Sequence, residues 1–281
     1  MNTHRIPSTM HTHLLVALEC EAEPLIAHYD LQRVTDAEPF RLYEGDRVTL
    51  VVSGVGKVAA ASAAAYSFAF RGGRRNSAWL NVGLGGHAEH SVGERFLAHK
   101  ITDHATGRSW YPPQVFKPPC RTAPLLTVDR PERAYEGPFV HDMEAAGFYA
   151  TACRFATAEL VHSYKIVSDN RECSVDDVSP QLATRLIEAS VDEIDLLVGH
   201  LTELTSELAA LEAEPRDFQR IVDLWRFTVT EKRQLRRLLL ALDVRAAGES
   251  PWDAGFESLG RAKDVLNYLA KLVRNLPVKF H

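Results

Sequence analysis

The chain has 281 residues, of which 46% are hydrophobic and 25% charged, and its formal net charge is −5. That length and balance fit an ordinary globular protein with one large core and room for a smaller appendage, and exclude a chain built to wrap a polyanion. Its cysteines, Cys20, Cys120, Cys153 and Cys173, form no CxxC pair, which argues against a zinc cluster or disulfide framework and for a reducing, cytoplasmic setting.

In chain order, residues 1–12 are polar, carry Arg5 and Pro7, and lack the apolar core of a signal peptide; they read as a disordered leader ahead of an alternative start at Met10. No apolar run reaches the roughly 18 to 20 residues of a membrane span, so no membrane partner is expected. Residues 14–18 are a compact apolar run that predicts a buried strand, followed by a helix over 25–29. A hairpin is expected from 40–44 and Val48–Val52 around the Gly45-Asp46 turn, then an alanine-rich helix over Lys57–Phe70. Further strands are predicted over 78–82, 94–101 and 160–167, with helices over 142–155 and 180–197. Strands alternating with helices predict an α/β domain over 13–200 with helices on both faces of its sheet. Gly54, Gly56, Gly83, Gly85 and Gly86 follow strand ends, where open α/β sheets bind ligands.

Residues 107–138 differ. Seven prolines, Pro112, Pro113, Pro118, Pro119, Pro124, Pro131 and Pro138, exclude a long helix, and the interleaved Trp110, Tyr111, Phe116 and Tyr135 favour an ordered functional loop. From about Leu201 the pattern turns helical, over 201–211, 217–225, 230–242 and 259–272, with Thr228 or Thr230 as a cap and a turn at 248–251. Residues 201–281 are therefore expected to be a mildly basic helical extension. Its Lys232-Arg-Gln-Leu-Arg-Arg237 run suits a solvated helix face better than a nucleic-acid contact, so no nucleic-acid partner is expected.

Two short segments carry the chemistry. Asp142-Met-Glu144 opens an apolar helix, where acids suit the positive end of the dipole. Ser168-Asp169-Asn170 closes a buried strand and alone reads as a turn. Taken together with Val52-Ser-Gly-Val-Gly-Lys-Val-Ala-Ala60, Asn81-Val-Gly-Leu-Gly-Gly86 leading to Val92-Gly-Glu94, and Ala17-Leu-Glu-Cys-Glu21, they form five segments in order. This pattern resembles the nucleoside phosphorylase/nucleosidase superfamily, in particular purine nucleoside phosphorylases and methylthioadenosine/S-adenosylhomocysteine nucleosidases.

The resemblance implies a three-layer αβα fold with a central mixed sheet and a site that cleaves the N-glycosidic bond of a purine nucleoside through an oxocarbenium-like sugar. It implies Asp169 as the acid that protonates the leaving base near N7. It implies Glu144 as the carboxylate holding the sugar hydroxyls, with Met143 packing on the sugar and Asp142 beside them. A glutamate after the first strand activates water, and Glu21 fits that place better than Glu19. Gly83, Gly85 and His87 are expected to line the pocket, with Val128-Asp-Arg-Pro131 nearby, and Tyr135 or Phe139 either to stack on the base or, the commoner fate of such rings, to pack in the core.

Hydrolysis is expected over phosphorolysis. The first loop, Leu18-Glu-Cys-Glu-Ala-Glu-Pro24, offers three acids and no arginine, and partly buried acids repel a phosphate dianion by several kcal/mol. The later loop, Gly83-Leu-Gly-Gly-His87, has neither arginine nor hydroxyl. The alternatives are a phosphorylase with an atypical phosphate site, a non-catalytic nucleoside-binding module, and an accessory protein of nucleic-acid metabolism. His87, His90, His99 and His104 match no zinc spacing, and neither metal nor organic cofactor is expected. The resemblance further implies a homodimer.

Overall fold

The computed structural model describes residues 11–73, 75, 77–212, 214–245, 252 and 254–275. The expected leader lies outside them as far as Met10, and the turn expected at 248–251 lies wholly outside them. The chain divides into two compact units, Met1–Ala210 and Leu211–His281.

The first unit runs β1 (Thr12–Val16), α1 (Glu19–His28), β2 (Gln32–Arg33), β3 (Arg41–Glu44), β4 (Val48–Val52), α2 (Lys57–Phe70), β5 (Ala78–Gly86), β6 (Arg95–Asp103), β7 (Ser109–Trp110), β8 (Arg121–Thr127), β9 (Val140–Asp142), α3 (Ala145–Ala152), β10 (Val161–Asp169), α4 (Pro180–Glu188) and α5 (Val191–Glu212). Strands β4, β1, β5 and β10 are parallel neighbours, with β3 antiparallel outside β4. Beyond β10 the sheet turns back on itself: β6 pairs β10, β8 pairs β6, β9 pairs β8, and β9 returns to β5 through Gly86 and His141. Five strands thus close into a ring within a mixed sheet.

Period-two alternation sends each central strand into two cores. Leu14, Val16, Leu50, Leu80 and Val82 pack with α1, α4 and α5 through Leu25, Ile187, Ile194 and Leu197. Leu15, Val51 and Trp79 pack on the opposite face with α2 and α3 through Ala60, Ala64, Ala145 and Phe148. Small residues let α2 and α3 approach closely. A Cβ on Gly147 would overlap the carbonyl of Lys57.

Several expected boundaries shift, each for a local reason. Helix α1 starts at Glu19, earlier than the helix read over 25–29, and contains Pro24. Pro24 has no N–H to offer the carbonyl four residues back. The Thr184 hydroxyl donates to that carbonyl, of Cys20, at 3.0 Å. Helix α3 begins at Ala145 because Asp142 is still strand. The proline-rich stretch contains β8, with Pro124 inside it. Pro124 sits where the β6 register skips between Ala98 and Lys100, a bulge that removes the need for its missing donor. Helix α5 runs unbroken past Leu201, where a domain boundary was expected.

The second unit is helical: α6 (Phe218–Leu224), α7 (Val229–Arg245), α8 (Ala254–Glu257) and α9 (Ala262–Asn275). It has its own core of Ile221, Leu235, Leu239, Phe256, Val265, Leu266 and Leu269. Thr228 caps α7: the Glu231 amide donates to its hydroxyl at 3.3 Å, while Glu231 accepts from the Thr228 amide at 2.8 Å. Among the described residues no helix is long and apolar enough to cross a membrane.

Candidate active site

A cavity of about 280 Å³ opens where β1, β5, β9 and β10 end, and Glu21, Met143, Glu144 and Asp169 all line it. The carboxyl ends of β1, β5 and β10 converge there because these strands are parallel neighbours, and β9 reaches the same place by pairing antiparallel with the end of β5, so residues far apart in sequence share one wall.

One end of the cavity is a cluster of acids around a single cation. Glu21 folds back over the end of β1, where its Oε2 accepts from the amides of Ala17 and Leu18 at 2.8 and 2.9 Å. Its Oε1 accepts from the Leu84 amide at 3.2 Å. Glu19 points elsewhere, onto Arg41 at 2.5 Å and Tyr43 at 3.2 Å. Glu144 Oε1 accepts from the Gly56 amide at 2.9 Å. Gly56 has φ +106, a backbone conformation that disfavours a side chain, which is the local reason for glycine there.

Between these acids lies Lys165, a fully buried lysine on β10. Its Nζ is 3.0 Å from Asp142 Oδ2 and 3.6 Å from Glu144 Oε2. A Cβ on Gly83 would come within 3.2 Å of Lys165 Nζ and 3.4 Å of Glu21 Oε1. Glycine therefore keeps open the space that the cation and the acid share. Burial raises the Glu21 pKa above the usual carboxylate range, outweighing Lys165 and the three amides. Burial raises that of Glu144 too, helped by Asp142 and Glu21 and opposed by Lys165 and the Gly56 amide. For Lys165 burial works against the charge, but Asp142, Glu144 and Glu21 outweigh it and raise its pKa.

The other end is built on Asp169. Ser168 donates to its Oδ1 at 2.5 Å and the Tyr135 hydroxyl to its Oδ2 at 2.6 Å. A Cβ on Gly86 would collide with that Oδ2 and come within 2.6 Å of the Tyr135 ring, so β5 is bare where the carboxyl lies. Gly85 is similarly constrained, since a Cβ there would approach the His141 carbonyl and Val140 Cγ1, each at 2.8 Å. That contact is where β9 closes on β5.

The structure thus brings Glu21, Met143, Glu144, Asp169 and Gly85 to one cavity, with Val128 and Pro131 on its wall. Gly83 lies behind it. Asp142 lines the cavity as well, though its side chain has no exposed surface, while the expected placements of Tyr135 and His87 need correction. The Asp142 carboxylate is fully enclosed: it accepts from Thr127 at 2.6 Å and from the amides of Glu144 and Ala145 at 3.2 and 2.7 Å, and it pairs with Lys165. Its chemistry is that of a clamp on the start of α3. Tyr135 is only 3% exposed and supports Asp169 from behind, with no face open to stack on a base. His87 lines a separate cavity with His90, and its Nδ1 accepts from the amides of Glu89 and His90, both at 3.1 Å.

Sequence reasoning assigned no role to Lys165, Ser168 or His141. Lys165 carried a signal: a lysine inside an apolar strand must find carboxylates. Among the described residues no group of three or more His, Cys, Asp or Glu side chains is arranged to hold a metal ion.

No protein-family model matches the chain, and comparison with curated proteins gives no match. Solved structures do match. A 5′-methylthioadenosine nucleosidase from Arabidopsis thaliana, in apo form, aligns with 19% identity and a TM-score of 0.58, over 68% of this chain and 96% of that one. A 5′-methylthioadenosine/S-adenosylhomocysteine nucleosidase from S. pneumoniae, with the transition-state inhibitor MT-ImmA, gives 20% identity and a TM-score of 0.55 over 69% and 100%. A futalosine hydrolase mutant of Helicobacter pylori gives 13% and 0.50 over 68% and 99%. The chain therefore shares the α/β fold of these solved nucleosidase structures.

Proposed function

We propose that the chain is a purine nucleosidase that cleaves the N-glycosidic bond with water. The observation that carries this reading is the single cavity on which Glu21, Glu144 and Asp169 all open. As the bond from the sugar C1′ to the base breaks, its electron pair goes to the base and positive charge builds on the sugar. Asp169 gives a proton to the base at N7, so that a neutral purine leaves. Glu144 holds the sugar hydroxyls, with Met143 against the ring. Glu21 takes a proton from the water whose oxygen bonds to C1′. The products are a free sugar and a free base.

The acid cluster favours this over phosphorolysis. A phosphate dianion would enter a space where one ammonium already faces three carboxylates. The same charges stabilise a cationic sugar. The enclosure of Asp142 makes it a positioning residue in this scheme, and Lys165 holds it and Glu144 in place. A homodimer belongs to the same reading, and sedimentation velocity tests it: a species of twice the chain mass is expected, and a monomer at micromolar concentration would contradict it.

The test of the function is a base-release screen of the purified protein against purine nucleosides, with and without phosphate. Release without phosphate is the expected result. A strict need for phosphate would make the chain a phosphorylase, and binding without release would make it a nucleoside-binding module.

A further inference from the structure

The cavity lined by His87 has no part in the reaction above. Its volume is about 360 Å³, and it lies between the loop after β5, the start of β8 and the segment after β10, with Glu89, Arg121 and Arg171 also on its wall. His87 is 5% exposed, and its ring is fixed by the Glu89 and His90 amides that donate to Nδ1 at 3.1 Å and by the His90 ring, 4.2 Å away between centroids. A nitrogen that accepts two amides carries no proton, so the proton of the neutral ring is on Nε2. Burial, helped by His90 and His141, lowers the His87 pKa and keeps the ring neutral. Nε2 makes no hydrogen bond to a described residue. With Nδ1 turned into the loop, the edge left for the cavity is the one that carries the Nε2 proton. The charges agree. Arg121 shares Glu94 with His90, at 3.1 Å from each, while the exposed Arg171 forms no ion pair with a described residue. Asn170 donates to the His90 carbonyl at 2.9 Å and so ties the Arg171 segment to the His87 loop. Among the described residues, the wall holds two guanidinium groups and one fixed N–H against the carboxylate of Glu89.

We propose that this second cavity is a phosphate-binding site, taking inorganic phosphate or the phosphate group of a small monoester, with Arg121 and Arg171 as its cations and His87 Nε2 as the inner donor. Guanidinium forks bind phosphate oxygens through paired N–H bonds. Donors on three sides suit a tetrahedral group better than the flat edge of a carboxylate. The site stands apart from the acid cluster that disfavours phosphate in the first cavity, and it does not depend on the nucleosidase reading.

The experiment is calorimetric titration of the full chain with inorganic phosphate and, in a parallel arm, glycerol phosphate, at constant ionic strength. Saturable binding of at least one of them, with a dissociation constant of about 1 mM or lower, is expected, and the tighter of the two identifies the free ion or the ester as the ligand. Arg171→Ala, on an exposed side chain, should weaken binding about 10-fold. His87→Asn puts an oxygen where Nδ1 accepts the two amides and leaves the Nε2 position empty. It should weaken binding by a similar factor while the melting temperature stays near that of the unaltered protein. Lys232→Ala, which removes an equal charge from α7, should change binding less than about 2-fold. No saturable binding of either probe up to about 20 mM would overturn the assignment. So would unchanged affinity in both Arg171→Ala and His87→Asn, which would send the phosphate elsewhere, or an equal loss in Lys232→Ala, which would reduce the effect to net charge.

Discussion

The two ends of the cavity are held by opposite means. At the acid end, carboxylates are gripped by backbone amides and by one buried ammonium: Glu21 by the amides of Ala17, Leu18 and Leu84, Glu144 by that of Gly56 and by Lys165. At the other end a single carboxyl, Asp169, is held by two hydroxyls, from Ser168 and Tyr135. Backbone amides and an ammonium fix negative charge in place, which suits a group facing a developing cation. Hydroxyls donate or accept as needed and suit a group that passes a proton on. The difference matches the proposed division of labour, with the sugar at the acid end and the base at Asp169.

The largest expected effects come from removing the acid or the base. Asp169→Asn and Glu21→Gln should each lower kcat about 10²- to 10⁴-fold in single-turnover base release, with the fold intact by circular dichroism. Equal activity in either variant would break the comparison at that end. Next is Lys165→Met, which leaves three buried carboxylates without their cation. It should destabilise the protein by about 3–5 kcal/mol in urea unfolding, whereas a Lys165→Arg variant should retain most of that stability.

A pH series sharpens the contrast further. Glu21 and Glu144 both have carboxyl pKa values raised above 4.5 by burial. The native state therefore holds protons that the unfolded state has lost, and stability should fall as pH rises from 4.5 through the raised values. Glu21→Gln should flatten that fall in urea midpoints. In kinetics, Glu21 must be ionised to take a proton, so the acid limb of kcat should lie above pH 4.5. The smallest effect is expected from Tyr135→Phe, which removes one of two hydroxyls on Asp169 and should lower kcat less than about 10-fold with KM unchanged.

Much of this arrangement was legible in the sequence, for identifiable reasons. The central strands were visible as continuous apolar runs because both of their faces are covered. Gly147 and Gly86 marked places where a backbone or a carboxyl comes too close for a Cβ, so the segments that contain them stood out. What escaped was set by tertiary placement. Glu19 and Glu21 lie two residues apart on α1, and only the path of that helix sends one to Arg41 and the other into the cavity. Strand β8 was hidden because Pro124 argues against a strand until its bulge is known. Tyr135 and His87 lie on loops near cavity residues, but the path of each loop turns its side chain elsewhere, Tyr135 onto the Asp169 carboxyl and His87 into a separate cavity. Adjacent residues then face different neighbours.

The account turns on one nucleoside spanning both ends of the cavity. A crystal structure with a cationic aza-sugar nucleoside analogue tests this most directly. It should show N7 of the base within hydrogen-bond reach of the Asp169 carboxyl and the sugar hydroxyls on Glu144, with a water between C1′ and Glu21. An analogue bound in reverse, or outside the cavity, would contradict it.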